Sequence, residues 1–487
     1  MRSMARMAGV VSILAIAGGA LAAETTTGKI PVTTKSEEAR ALYLKGRDLA
    51  EKLRATDAHK LFVDAAAKDK DFASAQLAIA NSAGSAQEFF DAEARAVAAA
   101  GKVSETERLV ILAQEAGTKG QVAKQKELLD KLVALVPQDE RAHNLLGAYL
   151  FGQQDWAGSV AEYQKAIAIN PNFSQPYNQM GYAYRFMDKF PESEAAFKKY
   201  IELIPDDPNP YDSYAELQMK MGKFEESIKT YQKALSVDPN FVSSYVGIGN
   251  CNMFLGRGND ARAAFAKLTS VARNDGEKRQ ALFWASQSYL HEGKPDQALA
   301  EIKKEAAIAE ASKDLANLGA DHNFMGQILL DSGKPAEAAA EFKTQLDLID
   351  KAEVPADVKA ANHRNRNFDL ARVALAQKDL ATAKKLAATY AKDVGQKKIP
   401  FEVRQSHELD GLIAFEEKKY DAAVAAFEQA NQQDPRVLYH LALALQGKGD
   451  LQHARATAVK AADFNALGGN YGFIRNKAKE LVAKLSS

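Results

Sequence analysis

The tetrapeptide "NPNF" at residues 170–173 returns as "DPNF" at 238–241, and "IPDD" at 204–207 lies midway between them. Pro171, Pro205 and Pro239 are therefore spaced by 34 residues each time. A period of this length marks a repeated structural unit. Numbered from Glu140, a unit carries Gly147 at position eight, Trp156 at seventeen, Ser159 at twenty, Tyr163 at twenty-four, Ala166 at twenty-seven and Pro171 at thirty-two. The unit from Ser174 supplies Gly181, Phe190, Ser193, Phe197, Tyr200 and Pro205, and the unit from Pro208 supplies Ala215, Phe224, Ser227, Tyr231, Ala234 and Pro239. A fourth, from Val242, gives Gly249, Ala261 and Phe265. Tyr177, Tyr211 and Tyr245 share position four of three consecutive units.

Each position has a steric reason. Small residues at eight and twenty let two helices approach to the usual spacing of about 8–10 Å. Aromatic rings at four, seventeen and twenty-four fill the space beside that contact. The proline at thirty-two cannot continue a helix and ends the second one. "FGQQD" and "KMGKF" supply the short turn between them. Each unit is predicted to be a helix, a turn and an antiparallel helix.

The stretch "NLLGAYLFGQQDWAGSVAEYQKAIAINPNF" closely resembles the tetratricopeptide repeat, which places Leu-Gly at seven and eight, a small residue at twenty, an aromatic at twenty-four and Pro at thirty-two. Ser159, Ser193 and Ser227 depart from the alanine usual at position twenty, but they are still small. The resemblance extends upstream, where Gly46, Ala58, Phe62 and Ala65 place a unit from about Ala39, and downstream through "FWASQSYLHEGKPDQALAEI", "NFMGQILLDSGKPAEAAAEF" and "LDGLIAFEEKKYDAAVAAFEQANQQDP". It implies an all-α, right-handed α-solenoid of stacked antiparallel helix pairs, with about eleven or twelve repeats. The expected organisation is divergent repeats at 39–139, well-matched repeats at 140–273, divergent repeats with longer connections at 274–465, and a capping helix at 466–487. "VARNDGEK", "AAIAEASKDLANLG" and "DLIDKAEVPADVKAANHRNRN" read as lengthened helices or loops.

The first residues have a different character. Arg2 and Arg6 precede an apolar run to Ala17, and Ala20-Leu21-Ala22 gives the small-x-small pattern that signal peptidase accepts. Residues 1–22 are expected to be a cleaved secretory signal, followed by a flexible segment at 23–38, with a periplasmic or secreted destination. Loss of Arg2 and Arg6 leaves 61 basic against 63 acidic residues, so a general attraction to nucleic acid is not expected. No later stretch is long and apolar enough for a bilayer. The single cysteine, Cys251, cannot form an intramolecular bridge, so packing alone must hold the fold.

No catalytic constellation is legible. The eight histidines are scattered, with no pair at the helical spacing of a zinc site, and no nucleophile elbow or phosphate loop occurs. Gly256-Arg257-Gly258-Asn259-Asp260-Ala261 fits G-x-G-x-x-A, but a dinucleotide fingerprint must follow a strand, and here a repeat helix precedes it. No cofactor, metal or enzymatic activity is expected. What remains is surface. Positions two, five, nine and twelve of the first helices are free of packing duties and line one concave face. They give Arg141, Asn144, Phe151, Asn178, Tyr182, Arg185, Asp212, Glu216, Met219, Asn250 and Met253 as a candidate ligand groove. Amide, aromatic and charged groups of this kind can grip a peptide backbone. Asn144, Asn178 and Asp212 stand where a clamp for a C-terminal carboxylate would need cations, so that mode is not expected. The leading expectation is an exported scaffold binding a protein or extended peptide. The alternative is a non-catalytic accessory that holds a glycan or peptide polymer for a cell-envelope enzyme or secretion system, which stacked surface aromatics would favour.

Overall fold

The computed structural model describes residues 28–52, 54–468 and 470–486; the expected signal segment lies outside the described residues. Among the described residues twenty-five α-helices follow one another, and the first twenty-four pair off as twelve helical hairpins. The opening pairs are α1 (Glu37–Glu51) with α2 (Ala55–Lys68), α3 (Ala73–Asn81) with α4 (Ala86–Ala99), and α5 (Glu105–Thr118) with α6 (Val122–Leu135). Next come α7 (Glu140–Gly152) with α8 (Trp156–Ile169), α9 (Ser174–Phe186) with α10 (Phe190–Leu203), and α11 (Asn209–Lys220) with α12 (Phe224–Val237). Then follow α13 (Val242–Phe254) with α14 (Gly258–Val271), α15 (Asp275–His291) with α16 (Pro295–Ala311), and α17 (Leu315–Asp331) with α18 (Pro335–Lys351). The last pairs are α19 (Ala356–Ala376) with α20 (Leu380–Lys397), α21 (Pro400–Glu416) with α22 (Tyr420–Gln429), and α23 (Pro435–Lys448) with α24 (Leu451–Ala462); α25 (Tyr471–Lys484) stands alone. No strand interrupts them among the described residues.

The repeat positions do what their sizes dictate. A Cβ added to Gly147, Gly181 or Gly249 would run into the ring of Tyr163, Phe197 or Phe265. The same glycine-on-ring contact, always sixteen residues apart, recurs at Gly46 and Phe62, Gly326 and Phe342, and Gly411 and Phe427. These rings are all no more than 2% exposed. Two of the three position-twenty serines have a purpose beyond size: Ser193 Oγ donates to the carbonyl of Gly181 at 2.7 Å, and Ser227 Oγ to that of Ala215 at 2.7 Å. Both tie the second helix to position eight of the first. The position-four tyrosines lock each unit to the one before. Tyr177, Tyr211 and Tyr245 donate their hydroxyls to the carbonyls of Pro171, Pro205 and Pro239 at 3.2, 3.0 and 2.9 Å.

The inserted stretches of the second half extend helices. From α15 to α21 the helices run 17–21 residues, against 12–14 in α7 to α14. One expectation needs correction and another is enlarged. Residues 28–36, in the segment expected to be flexible, lie extended along the first helices. Ile30 N–H donates to Asp139 Oδ2 at 2.7 Å, Thr33 N–H to Glu107 Oε1 at 2.8 Å, and Lys35 N–H to Asp69 Oδ2 at 2.9 Å. An extended backbone lying across acidic side chains finds an acceptor for several of its N–H groups, which fixes it. The C-terminal helix α25 does more than cover the end of α24, since it also reaches back to α13, α15 and α17.

The array coils far enough for distant units to touch. Arg273 bridges to Asp57 at 2.9 Å, Arg54 to Asp238 at 3.5 Å, and Gln154 Nε2 donates to Asn431 Oδ1 at 3.1 Å. The later repeats thus lie against the earlier ones.

Candidate functional site: the inner face of the coil

Positions two, five and nine of the first helices form one continuous inner face. Its candidate residues in α7 to α13 are largely buried, and several bond to residues of an adjacent repeat. Tyr182 donates its hydroxyl to Glu216, the residue one period later, and also meets Ser213 Oγ at 3.3 Å. Arg185 lies 4.7 Å from the centre of the Tyr182 ring and 3.4 Å from Glu216. Asp212 accepts from Ser244 Oγ at 2.7 Å, and burial raises its pKa to about 7. Asn144 Nδ2 donates to Gln175 Oε1 at 3.0 Å, while Asn250 Nδ2 turns back to the Val246 carbonyl of its own helix at 2.9 Å. Asn178 is 2% exposed and its Oδ1 has no partner. Arg141 pairs with Glu51 at 2.8 Å and covers the Phe173 ring. Phe151 packs edge-on against Trp156 and Phe186. Met219 and Met253 belong to the core. The sequence leads one to expect these residues on an open groove; the structure instead buries most of them and uses Asn144, Tyr182, Arg185, Asp212 and Glu216 to hold adjacent repeats together. The reason is geometric. Neighbouring first helices converge on the concave side, so side chains about one period apart meet before any ligand can.

The same face is occupied differently elsewhere. Over α1, α5 and α7 it is covered by residues 30–32, which share a small cavity with Tyr43, Arg47, Glu107, Val110, Arg141 and Asn144. Over α13, α15 and α17 it is covered by α25. Tyr471 packs edge-on against Phe254 at 4.9 Å between ring centres, and Phe473 against Phe324 at 6.0 Å.

Over α17, α19, α21 and α23 the face opens into a cleft of about 580 Å³, closed on its far side by Ala86 and Phe90 of α4. Its walls carry the carboxamides of Asn317, Asn323, Gln327, Gln345, Asn362, Asn365, Gln405, Asn431 and Asn470. Several spend only part of their bonding capacity on the chain. Gln327 Nε2 donates to Asn323 Oδ1 at 2.7 Å, Gln345 Nε2 to Asn362 Oδ1 at 2.8 Å, and the buried Asn365 Oδ1 has no partner. At the floor, burial raises the carboxyls of Asp369 and Glu408 to about 6 and about 7, with Arg372 held down to about 10 beside them. Phe401 is 51% exposed.

Sequence reasoning missed these residues, although the signal for them is present. With the glycine of each ring contact taken as position eight, Gly326 places Asn323 and Gln327 at five and nine, and Gly411 places Gln405 at two. Ala371, sixteen residues before Ala387, likewise places Asn365 at two. The rule that fails in the well-matched repeats finds the cleft in the divergent ones.

Cys251 is fully buried, its Sγ 3.3 Å from Ser227 Oγ, and burial pushes its thiol up to about 12, so it carries no thiolate at neutral pH. Gly256, at φ +76°, makes the turn between α13 and α14, and the glycine motif thus has helices on both sides. Among the described residues no cluster of metal-ligating side chains forms, and no helix is long and apolar enough to cross a membrane.

Family models for the tetratricopeptide repeat match residues 112–172 and 162–195, and one for the TPR repeat matches 215–256. No curated protein matches the chain in sequence. Among solved structures, a tetratricopeptide repeat protein from Parabacteroides merdae ATCC 43184 is 15% identical, with a TM-score of 0.36 over 53% of this chain and 97% of that one. A thermophilic TPR protein of Thermus thermophilus is 16% identical, with a TM-score of 0.31 over 35% of this chain and 92% of that one. YrrB, described as a TPR protein with an unusual peptide-binding site, is 18% identical, with a TM-score of 0.26 over 37% of this chain and 91% of that one. With a 34-residue period, glycine-on-ring contacts along its length and three matching repeat models, the chain is a tetratricopeptide-repeat protein.

Proposed function

We propose that the chain is an exported scaffold that binds a protein partner, taken as an extended peptide, in the amide-lined cleft over α17, α19, α21 and α23. The observation that carries this reading is the nine carboxamides on the walls of one cleft. A carboxamide offers both a donor and an acceptor, as a peptide group does, so a row of them pairs with extended backbone whatever its side chains. Export rests on the basic, apolar and small-residue pattern of residues 1–22. A binding rather than catalytic role is supported by the repeat family, whose arrays present surface rather than reacting groups. The exposed Phe401 ring beside the same amides favours a glycan as the second reading, since rings stack on sugars and amides bond to hydroxyls.

One experiment addresses both parts. The chain is cross-linked in cells, its N-terminus and its partner are read by mass spectrometry, and the partner is titrated against Asn365→Ala/Gln327→Ala. The N-terminus is expected at residue 23 or 24. The double variant should weaken binding by about 0.5–1.5 kcal/mol for each hydrogen bond lost. An intact Met1 overturns cleavage of the signal, unchanged affinity overturns the cleft, and capture of glycan alone establishes the second reading.

A further inference from the structure

Among the described residues, α25 is the one α-helix outside a hairpin, and it lies where a ligand would lie. Its buried side chains, Tyr471, Phe473, Ile474, Arg475, Ala478 and Leu481, spread over about half of its circumference at 3.6 residues per turn. One part of that surface packs on α23 and α24, where Leu481 clusters with Ala442 and Ala458, and another part meets first helices some 150 to 220 residues earlier. Tyr471 packs on Phe254 of α13, Phe473 on Phe324 of α17, and Asn476 Nδ2 donates to the His291 carbonyl of α15 at 2.7 Å. Gly472 sits so close to α15 that a Cβ there would come within 2.7 Å of Gln287 Oε1 and 3.2 Å of Leu290 Cβ. With Ser286 as position eight, sixteen residues before Ile302, Gln287 and Leu290 are positions nine and twelve of their repeat, part of the same inner face as the cleft.

The contact is apolar in area but poorly finished in its polar groups. Gln287 Nε2 and Arg475 Nε are buried without partners. Burial holds the Arg475 guanidinium down to about 10. A buried donor left unpaired opposes the contact that buries it. The helix also packs on α24, where Tyr471 donates its hydroxyl to the Ala462 carbonyl at 3.1 Å and Leu481 clusters with Ala458, while in the connection from α24 Asn465 accepts from Arg475 Nη1 at 2.8 Å and Lys220 Nζ donates to the Phe464 carbonyl at 3.0 Å.

We propose that the inner face over α13, α15 and α17 is a docking surface for an amphipathic helix, that α25 is its intramolecular occupant, and that a partner helix with the same aromatic, apolar and basic pattern displaces it. This rests on the reading of the inner face as a binding surface, and it assigns a second, helix-specific site beside the extended-peptide cleft. Local opening of a terminal helix that belongs to no hairpin needs less free energy than opening a hairpin within the array.

The test uses the full chain and a synthetic peptide of residues 466–487 as the probe. Gly472→Leu wedges α25 away from Gln287 and Leu290 while raising its intrinsic helicity, so helix docking is separated from helix formation. Glu480→Ala, on the exposed side, is the control. The wedge variant should bind the labelled peptide at least tenfold more tightly than the parent or the control, with faster amide exchange in 471–484 than in α13 and α14. Peptide binding no tighter than the parent's overturns the proposal. Should the variant fail to fold, exchange in the unaltered chain decides: α25 amides opening well before those of α13 and α14 support the proposal, and exchange only on global unfolding overturns it. Asn365 and Gln327 play no part in this readout, so failure of the cleft reading is seen separately.

Discussion

Asp212 illustrates how a residue can be placed correctly on the inner face and misread in its role. It is 8% exposed, it accepts from Ser244, and burial raises its pKa from 3.8 to about 7. Below about pH 4 both folded and unfolded chains hold the proton, and the group contributes no pH dependence. Between about pH 4 and 7 the unfolded chain releases it first, so stability falls as pH rises and the loss is complete above about 7. Asp212→Asn keeps an oxygen for Ser244 and cannot ionise. We expect it to stabilise the chain at pH 8 by roughly 2–4 kcal/mol, at about 1.4 kcal/mol per pKa unit, and to be near neutral at pH 4. Urea denaturation at the two pH values checks this; an equal effect at both would show that the carboxyl is not the cause. In the sequence Asp212 reads as a free polar group, because the chain order does not display the neighbour, Ser244, that takes up its oxygen.

Between elements, buried ion pairs join successive first helices in the second half of the array, as Arg185 and Glu216 do in the first. Arg364 of α19 makes two bonds to Glu402 of α21, at 2.8 and 3.2 Å, and Arg279 of α15 makes two to Asp321 of α17, at 2.7 and 2.8 Å. Arg364 and Glu402 are 9% and 5% exposed. Removing one partner strands a buried charge, which costs about 3–5 kcal/mol, whereas replacing both with apolar groups of similar volume is often neutral. Arg364→Met should therefore lower the melting temperature sharply, and Arg364→Met/Glu402→Leu should recover most of it. A double variant as unstable as the single one would mean that the pair itself sets the fit of α19 on α21. Element lengths in this half are ambiguous in the sequence. Of the inserted stretches, only the one with Pro355 carries a proline, which marks the start of α19, and none says by its composition which helix it extends.

At the scale of the molecule, the contacts between early and late repeats are mostly polar at the N-terminal end. Arg54 with Asp238 and Arg273 with Asp57 are partly exposed pairs, each contributing about 0–1 kcal/mol and weakened by salt. The Debye length shrinks from roughly 14 Å at about 0.05 M to about 3 Å at about 1 M salt. The coil should loosen over that range, with a rising radius of gyration by small-angle scattering and unchanged helical circular dichroism. A constant radius would place the closure in the apolar contacts of α25.

The sequence by itself determined the repeat, because the glycine at position eight and the ring at twenty-four lie in one hairpin, and their fit needs nothing further along the chain. Gly147 with Tyr163 and Gly411 with Phe427 obey the same local steric rule in a well-matched and a divergent unit. It also specified which positions form the inner face. Only the tertiary structure decided what covers that face: residues 28–36 over the first repeats, the chain's own cross-links from Tyr182 to Glu216 in the middle, α25 beyond them, and an open amide-lined cleft over α17 to α23. Occupancy depends on superhelical curvature, which sums small rotations over many hairpins and brings together residues more than 100 positions apart. No local pattern records that sum.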